Sequence, residues 1–156
     1  MTGVFFTNHL LAGALIGRAA PNALAAFGLG VASHLAMDAL PHWGPGEPGR
    51  LLRVAKIDGA LALAVGAPTV LCSRSLKLCA GIAGACLLDL RYPAQVYLGA
   101  DPFPKAVSRA HDAVQRGRES PSRLWLEVTE GFVLACAVAW ACLADLCRRW
   151  ASERPR

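Results

Sequence analysis

Residues 22–44 read NALAAFGLGVASHLAMDALPHWG, an apolar run without charge that ends in a cluster of ionisable side chains. His34, Asp38 and His42 follow one another at intervals of four residues. Positions four apart lie on one face of a helix, so His34 and Asp38 are neighbours there, and His42 continues the stripe if the helix extends that far. Because an acid is costly inside an apolar environment, this segment predicts a helix that carries a polar functional site.

The composition of the 156-residue chain favours an integral membrane protein. Apolar residues make up 54% and charged residues 17%, whereas soluble domains carry about 25% charge. The net charge of +5 comes from residues scattered through connecting stretches and the C-terminal tail, and no basic stripe is interleaved with aromatic residues. This distribution argues against a nucleic-acid partner and is typical of loops beside membrane helices.

Apolar segments alternate with breaks along the chain, and alanine and leucine dominate them while β-branched runs are missing. We predict apolar helices at about 4–17, 21–40, 52–72, 77–90 (with a possible extension to 99) and 122–147. A polar stretch at about 100–121 has one amphipathic pattern and predicts a short interfacial helix. The expected fold is therefore one all-α domain over 1–156, a polytopic membrane bundle of four to five apolar helices in the lipid bilayer.

Connectivity brings many of the polar residues to one side of this bundle. If the helices alternate in direction and the first one crosses the bilayer, seven side chains reach the same side: His9, His34, Asp38, His42, Asp58, Asp89 and His111. Imidazole and carboxylate groups together suit a divalent ion such as zinc. The joint placement therefore predicts a metal site.

Each of these residues also has a structural explanation. His34 and Asp38 could form a hydrogen-bonded pair that locks two helices together. Asp58 could be a first-turn acid that the helix dipole favours, and Asp89 could pair with an arginine. The other three histidines could face lipid headgroups or solvent.

Four blocks of the sequence resemble one family. They are TNHLLAGALIG (7–17), SHLAMDALPHWG (33–44), KIDGALAL (56–63) and GACLLDLRYPAQVYLG (84–99). They are similar to the bacterial membrane-bound, metal-dependent hydrolases, a family without an assigned function that is distantly similar to zinc-dependent phospholipase C. The resemblance covers about residues 5–115 and implies a multi-pass protein of the bacterial inner membrane, with the same seven residues as its polar site. The chain departs from the family at Arg91 and Gln115, where relatives often have a second acid and a second histidine.

Two functions follow as hypotheses. The first is a membrane-embedded hydrolase of a phosphoester or lipid-linked ester, in which a bound ion lowers the pKa of its water to about 7. His9, His34, Asp38, His42 and His111 would be metal ligands. Asp58 or Asp89 would be a further ligand or the general base, and Arg53, Lys56 and Arg91 would hold a phosphate or contact headgroups. The alternative is a non-catalytic membrane protein whose polar cluster is a structural hydrogen-bond or metal site.

Overall fold

The described residues fold into seven α-helices with very little sheet. The computed structural model describes residues 5–44 and 48–152. The helices are α1 (Phe6–Ala19), α2 (Ala23–Asp38), α3 (Pro48–Ser73), α4 (Leu76–Cys86), α5 (Arg91–Leu98), α6 (Lys105–Gln115) and α7 (Leu124–Ser152). Short 3₁₀ turns cover Leu88–Leu90 and Pro121–Arg123. Two parallel strands of two residues each, β1 (His42–Trp43) and β2 (Glu119–Ser120), pair His42 with Glu119. The predicted all-α class is confirmed.

Helices α1, α2 and α4 form the centre of the fold, and glycines allow their backbones to meet. A Cβ built on Gly13 of α1 would lie 2.6 Å from the carbonyl oxygen of Gly81 in α4. One on Gly30 of α2 would lie 2.8 Å from the Ala85 nitrogen of α4. Small residues that admit such close approach are common where membrane helices pack. Leu11 and Leu78 fill the adjoining core beside these contacts.

Two helices of the described chain are long and apolar enough to cross a membrane. They cover Leu52–Ser73, with 22 residues, and Pro121–Ser152, with 32 residues. Only 17% and 6% of their most apolar windows are buried in the protein. They therefore lack the burial that the central helix of a soluble domain has, and apolar side chains such as Leu63, Phe132 and Trp140 face outward.

The other apolar helices are shorter than the sequence predicts for spanning segments. Helices α1, α2 and α4 have 14, 16 and 11 residues, which gives lengths of about 21, 24 and 17 Å. A hydrocarbon core of about 30 Å needs roughly 20 residues. Four to five spanning helices are therefore not confirmed by the described helices.

Three local features position the polar residues, and the first two depart from the sequence prediction. Helix α2 ends at Asp38, and His42 leaves the helical stripe because its backbone N–H bonds to Arg118 O at 3.0 Å in the strand pair. The predicted fourth helix breaks after Cys86, and the 3₁₀ turn that follows carries Asp89. Helix α6 lies inside the predicted polar stretch and packs on α2.

Candidate metal centre

Five ionisable side chains from four elements meet at the end of α2. Within the described residues, two overlapping groups have candidate ligand atoms within 4.8 Å of one another: His9, His34 and Asp38, and His34, Asp89 and His111. Four of the five side chains are 2% exposed or less, and Asp89 is 6% exposed. The predicted convergence of these five residues is present in the structure, while their roles as ligands stay predictions.

Asp38 is at the middle of the cluster. Its Oδ2 atom lies 2.8 Å from His111 Nε2 and 3.2 Å from His34 Nε2. Its Oδ1 atom lies 3.3 Å from His9 Nε2. The two ring nitrogens of His34 and His111 are themselves 3.0 Å apart. Three imidazoles therefore direct their Nε2 atoms at one carboxylate.

A backbone carbonyl fixes the tautomer of His34. His34 Nδ1 lies 2.7 Å from the carbonyl oxygen of Ala85, which can only accept, so Nδ1 carries the proton. In a neutral ring the Nε2 lone pair then faces Asp38 Oδ2 and, at 4.0 Å, Asp89 Oδ1. A lone pair among carboxylate oxygens is repelled unless a proton or a cation lies between them. A proton on His34 or Asp89, an N–H donated by His111 at 3.0 Å, or a metal ion would remove this repulsion.

His9 adds a buried imidazole whose polar atoms are not satisfied by the described residues. Neither of its nitrogens has a hydrogen bond of acceptable geometry there, although the ring is fully buried. The ring stacks on His34 with centroids 4.0 Å apart. Buried polar atoms without partners are costly in a folded protein. An ion bound at Nε2 would satisfy one of these atoms.

The Asp89 carboxyl completes the cluster at somewhat longer range. Its oxygens lie 3.8 Å from His9 Nε2 and 4.0 Å from His34 Nε2. Asp89 belongs to the 3₁₀ turn after α4, outside the two helices that could cross a membrane. Burial raises the pKa of Asp89 to about 7; His34 opposes this rise, and the neighbouring acids add to it. This carboxyl can therefore hold or release a proton near neutral pH.

Two predicted site residues belong to neither ligand group. The Asp58 carboxylate accepts hydrogen bonds from the backbone N–H groups of Phe6 at 2.7 Å and Thr7 at 3.1 Å. It therefore caps the first turn of α1, which has no side-chain cap of its own. His42 directs Nδ1 at the carbonyl oxygen of Leu40, 2.9 Å away, and its buried Nε2 has no partner among the described residues.

The three predicted phosphate-binding cations have different surroundings. Arg53 and Lys56 are exposed on α3. Arg91 is engaged by two carboxylates, with Nε 2.9 Å from Asp101 and Nη1 2.6 Å from Asp112. Its guanidinium joins α5 to α6, so a substrate phosphate would have to compete with these ion pairs.

Sequence reasoning assigned no role in the site to two buried polar residues near the cluster. Glu127 of α7 is 2% exposed and accepts from the backbone N–H groups of Phe5 at 3.1 Å and Trp43 at 3.2 Å. Gln115 of α6 is 4% exposed and donates to Asp38 Oδ2 at 2.8 Å. The sequence gives one signal for Gln115, because it follows His111 by four residues on the same helix face.

The donor set fits one divalent ion. Three imidazole nitrogens and two carboxylates are the ligands that zinc and similar metals use in proteins. The two ligand groups share His34, whose Nε2 has a single lone pair, so they describe one site rather than two. No family model, no curated protein and no solved structure matches this chain. The function of the chain is therefore inferred from these residues.

Proposed function

We propose that the chain is a membrane-embedded, metal-dependent hydrolase that acts on a phosphoester or a lipid-linked ester. The observation that carries the proposal is the tautomer of His34. Its Nδ1–H bond to Ala85 O at 2.7 Å means that, in the neutral ring, the Nε2 lone pair is directed at the Asp38 and Asp89 oxygens. A metal-binding histidine commonly donates its other N–H to a carbonyl or carboxylate in this way.

The residues of the cluster divide into ligands and a base. His9, His34, His111 and Asp38 would hold a divalent ion such as zinc. When bound, such an ion lowers the pKa of a coordinated water to about 7 and polarises an ester oxygen. Of the two acids in the cluster, Asp89 lies farther from the imidazoles than Asp38 does, and its pKa is raised to about 7. It suits the role of general base better than Asp58, whose oxygens cap α1.

A polar cleft supports catalysis over a purely structural metal site. The cleft lies between α5 and the C-terminal end of α6 and has a volume of about 440 Å³, within the range of small-molecule sites. Gln115 is part of its wall and also bonds to Asp38, so the cleft ends one hydrogen bond from the cluster. Arg116 lines it too and forms no ion pair with any described residue, so Arg116 replaces Arg91 as our candidate for phosphate binding.

The outer surface supports a position in the bilayer. The protein exposes 9426 Å² of accessible surface, whereas a compact soluble monomer of this size exposes about 7,500 Å². Large apolar side chains contribute to it, including Leu24, Phe132 and Trp150. We infer that α3 and α7 cross a bacterial inner membrane and that the shorter apolar helices lie in the same bilayer, with α6 at its interface.

The second candidate function is a structural site in a non-catalytic membrane protein. The near-complete burial of the five side chains favours it, because structural metal sites are closed. Chelation of the metal distinguishes the two functions. A structural ion contributes directly to folding, so its removal lowers the melting temperature strongly. A catalytic ion can leave while the fold persists.

The first experiment measures bound metal. Wild-type protein in detergent should retain one divalent ion per chain after dialysis, by elemental analysis, and hydrolyse bis(p-nitrophenyl) phosphate. Asp38→Asn keeps the side-chain volume but removes the anionic ligand, so metal content and hydrolysis should both fall. Asp145→Asn is the matched control, since Asp145 pairs with Arg18 and Arg148 outside the cluster. Wild-type protein without stoichiometric metal after loading would refute the proposal.

A further inference from the structure

A chain of hydrogen bonds runs from the cleft to the metal centre. The Tyr92 hydroxyl of α5 donates to Gln115 Oε1 of α6 at 2.9 Å. Gln115 Nε2 donates to Asp38 Oδ2 of α2 at 2.8 Å. Burial raises the pKa of Tyr92, with the Asp89 charge as a further cause, so the hydroxyl keeps its proton at neutral pH. Three helices are thus connected through one amide.

The chemistry of the partners fixes the orientation of this amide. The Asp38 carboxylate only accepts hydrogen bonds, so the NH₂ group of Gln115 must face it. The amide oxygen then points at Tyr92 and accepts its proton. The opposite orientation would place two oxygens against each other inside the protein, which is costly. The Asp38 carboxylate therefore selects the orientation, and the Tyr92 hydroxyl holds the amide by donating to the oxygen that this orientation presents.

The consequence is a difference between the two oxygens of Asp38. Gln115 donates to Oδ2 at 2.8 Å, and the Nε2 atom of His111, a candidate ligand, lies 2.8 Å from the same oxygen. Oδ1 is buried without a hydrogen bond from the described residues and lies 3.3 Å from His9 Nε2. Asp38 Oδ1 and His9 Nε2 are thus neighbouring ligand atoms that are both buried without a hydrogen bond, so Oδ1 is the Asp38 oxygen that is available to an ion.

We propose that Gln115, held by Tyr92, is a positioning residue that restrains Asp38 Oδ2 so that Oδ1 binds the metal. This inference rests on the proposed metal site. It assigns a role to the position where Gln115 replaces the second histidine of the resembled family. Residues that orient a metal ligand typically contribute 10- to 100-fold in metal affinity, roughly.

Cobalt(II) alone is the probe, because its visible spectrum reports the ligand geometry and its titration reports affinity. Gln115→Met keeps the length of the side chain and removes the donor, so the dissociation constant should rise about 10- to 100-fold and the spectrum should change. Tyr92→Phe removes only the hydroxyl, and both effects should be smaller but in the same direction. Gln95→Met on α5 is the control, since the structure gives Gln95 no bond to Asp38.

The outcomes separate this inference from the proposed function. Wild type that binds cobalt, with Gln115→Met and Tyr92→Phe unchanged in affinity and spectrum, would overturn the positioning role and leave the metal site intact. Wild type that binds no cobalt would refute both. If Gln115→Met does not fold, Tyr92→Phe decides, because losing one hydroxyl preserves the packing of the ring. Weaker binding with an altered spectrum in either variant, and not in Gln95→Met, supports the role.

Discussion

A pair of glycines two residues apart on α2 tests whether helix contact controls the metal centre. A Cβ on Gly30 would lie 2.8 Å from the Ala85 nitrogen and 3.2 Å from the Gly84 carbonyl carbon, whereas a Cβ on Gly28 would meet nothing within 4 Å. These neighbours of Gly30 are backbone atoms and cannot rotate away. Gly30→Ala therefore forces α2 and α4 apart, and Gly28→Ala does not.

The size of this effect follows from the distances. Moving the new Cβ from 2.8 Å of the Ala85 nitrogen to an ordinary contact of 3.4 Å opens the interface by at least about 0.6 Å, since the Gly81 carbonyl oxygen lies nearer still. The His34 Nδ1···Ala85 O bond crosses the same interface at 2.7 Å, so it would lengthen to roughly 3.3 Å, beyond the normal range. Overpacking lowers the free energy of unfolding by about 1–3 kcal/mol, whereas alanine in place of glycine raises it by about 1 kcal/mol through its higher helix propensity. The net loss should be up to about 2 kcal/mol.

The assay combines thermal unfolding with zinc titration in detergent. Gly30→Ala should melt below wild type and bind zinc about 10- to 100-fold more weakly, because His34 loses its orienting carbonyl. Gly28→Ala should be as stable as wild type or up to about 1 kcal/mol more stable, with unchanged zinc affinity. If the two variants behave alike in both measurements, the argument that glycine contact holds His34 in place is wrong.

Three further predictions concern residues outside the ligand set. Asp58→Ala removes the cap of α1 and should lower the free energy of unfolding by about 1–2 kcal/mol, with zinc affinity unchanged by titration; a large loss of zinc affinity would return Asp58 to the site. Glu127→Ala leaves two backbone N–H groups without their acceptor and should cost about 1–3 kcal/mol per group; denaturant unfolding no different from wild type would show that water replaces the carboxylate. The pKa of Asp101 is held below its usual value mainly by a hydrogen bond from the Phe103 N–H, and to a smaller extent by Ser108 and Arg91. The ionised carboxylate therefore stabilises the fold fully above its ordinary pKa. This stabilisation is lost as the pH falls through the lower pKa of the folded state. Melting curves of wild type and Asp101→Asn should differ at pH 6 and converge in strong acid, and a constant difference at all pH values would contradict this.

The sequence by itself determined the helical class and part of the metal centre. Apolar runs without β-branched stretches specify helices because backbone hydrogen bonding and side-chain periodicity act within a few residues. His34 and Asp38 are neighbours for the same reason, and the structure has them 3.2 Å apart. The alternation of helices predicted that His9, Asp89 and His111 meet them from distant parts of the chain, since antiparallel neighbours return to one end, and the structure places all five together.

Only the tertiary structure decided what each polar group binds. Asp58 and Arg91 were predicted as site residues. Asp58 instead accepts a hydrogen bond from the backbone N–H of Phe6, 52 residues away, and Arg91 pairs with Asp112, 21 residues away. His42 left the stripe because its backbone pairs with residue 118. Glu127 and Gln115 are buried beside groups from distant parts of the chain, to which they are hydrogen-bonded. The physical reason is range: helix formation depends on near neighbours, whereas a buried charge or amide must be satisfied by whatever group folding brings within about 3 Å.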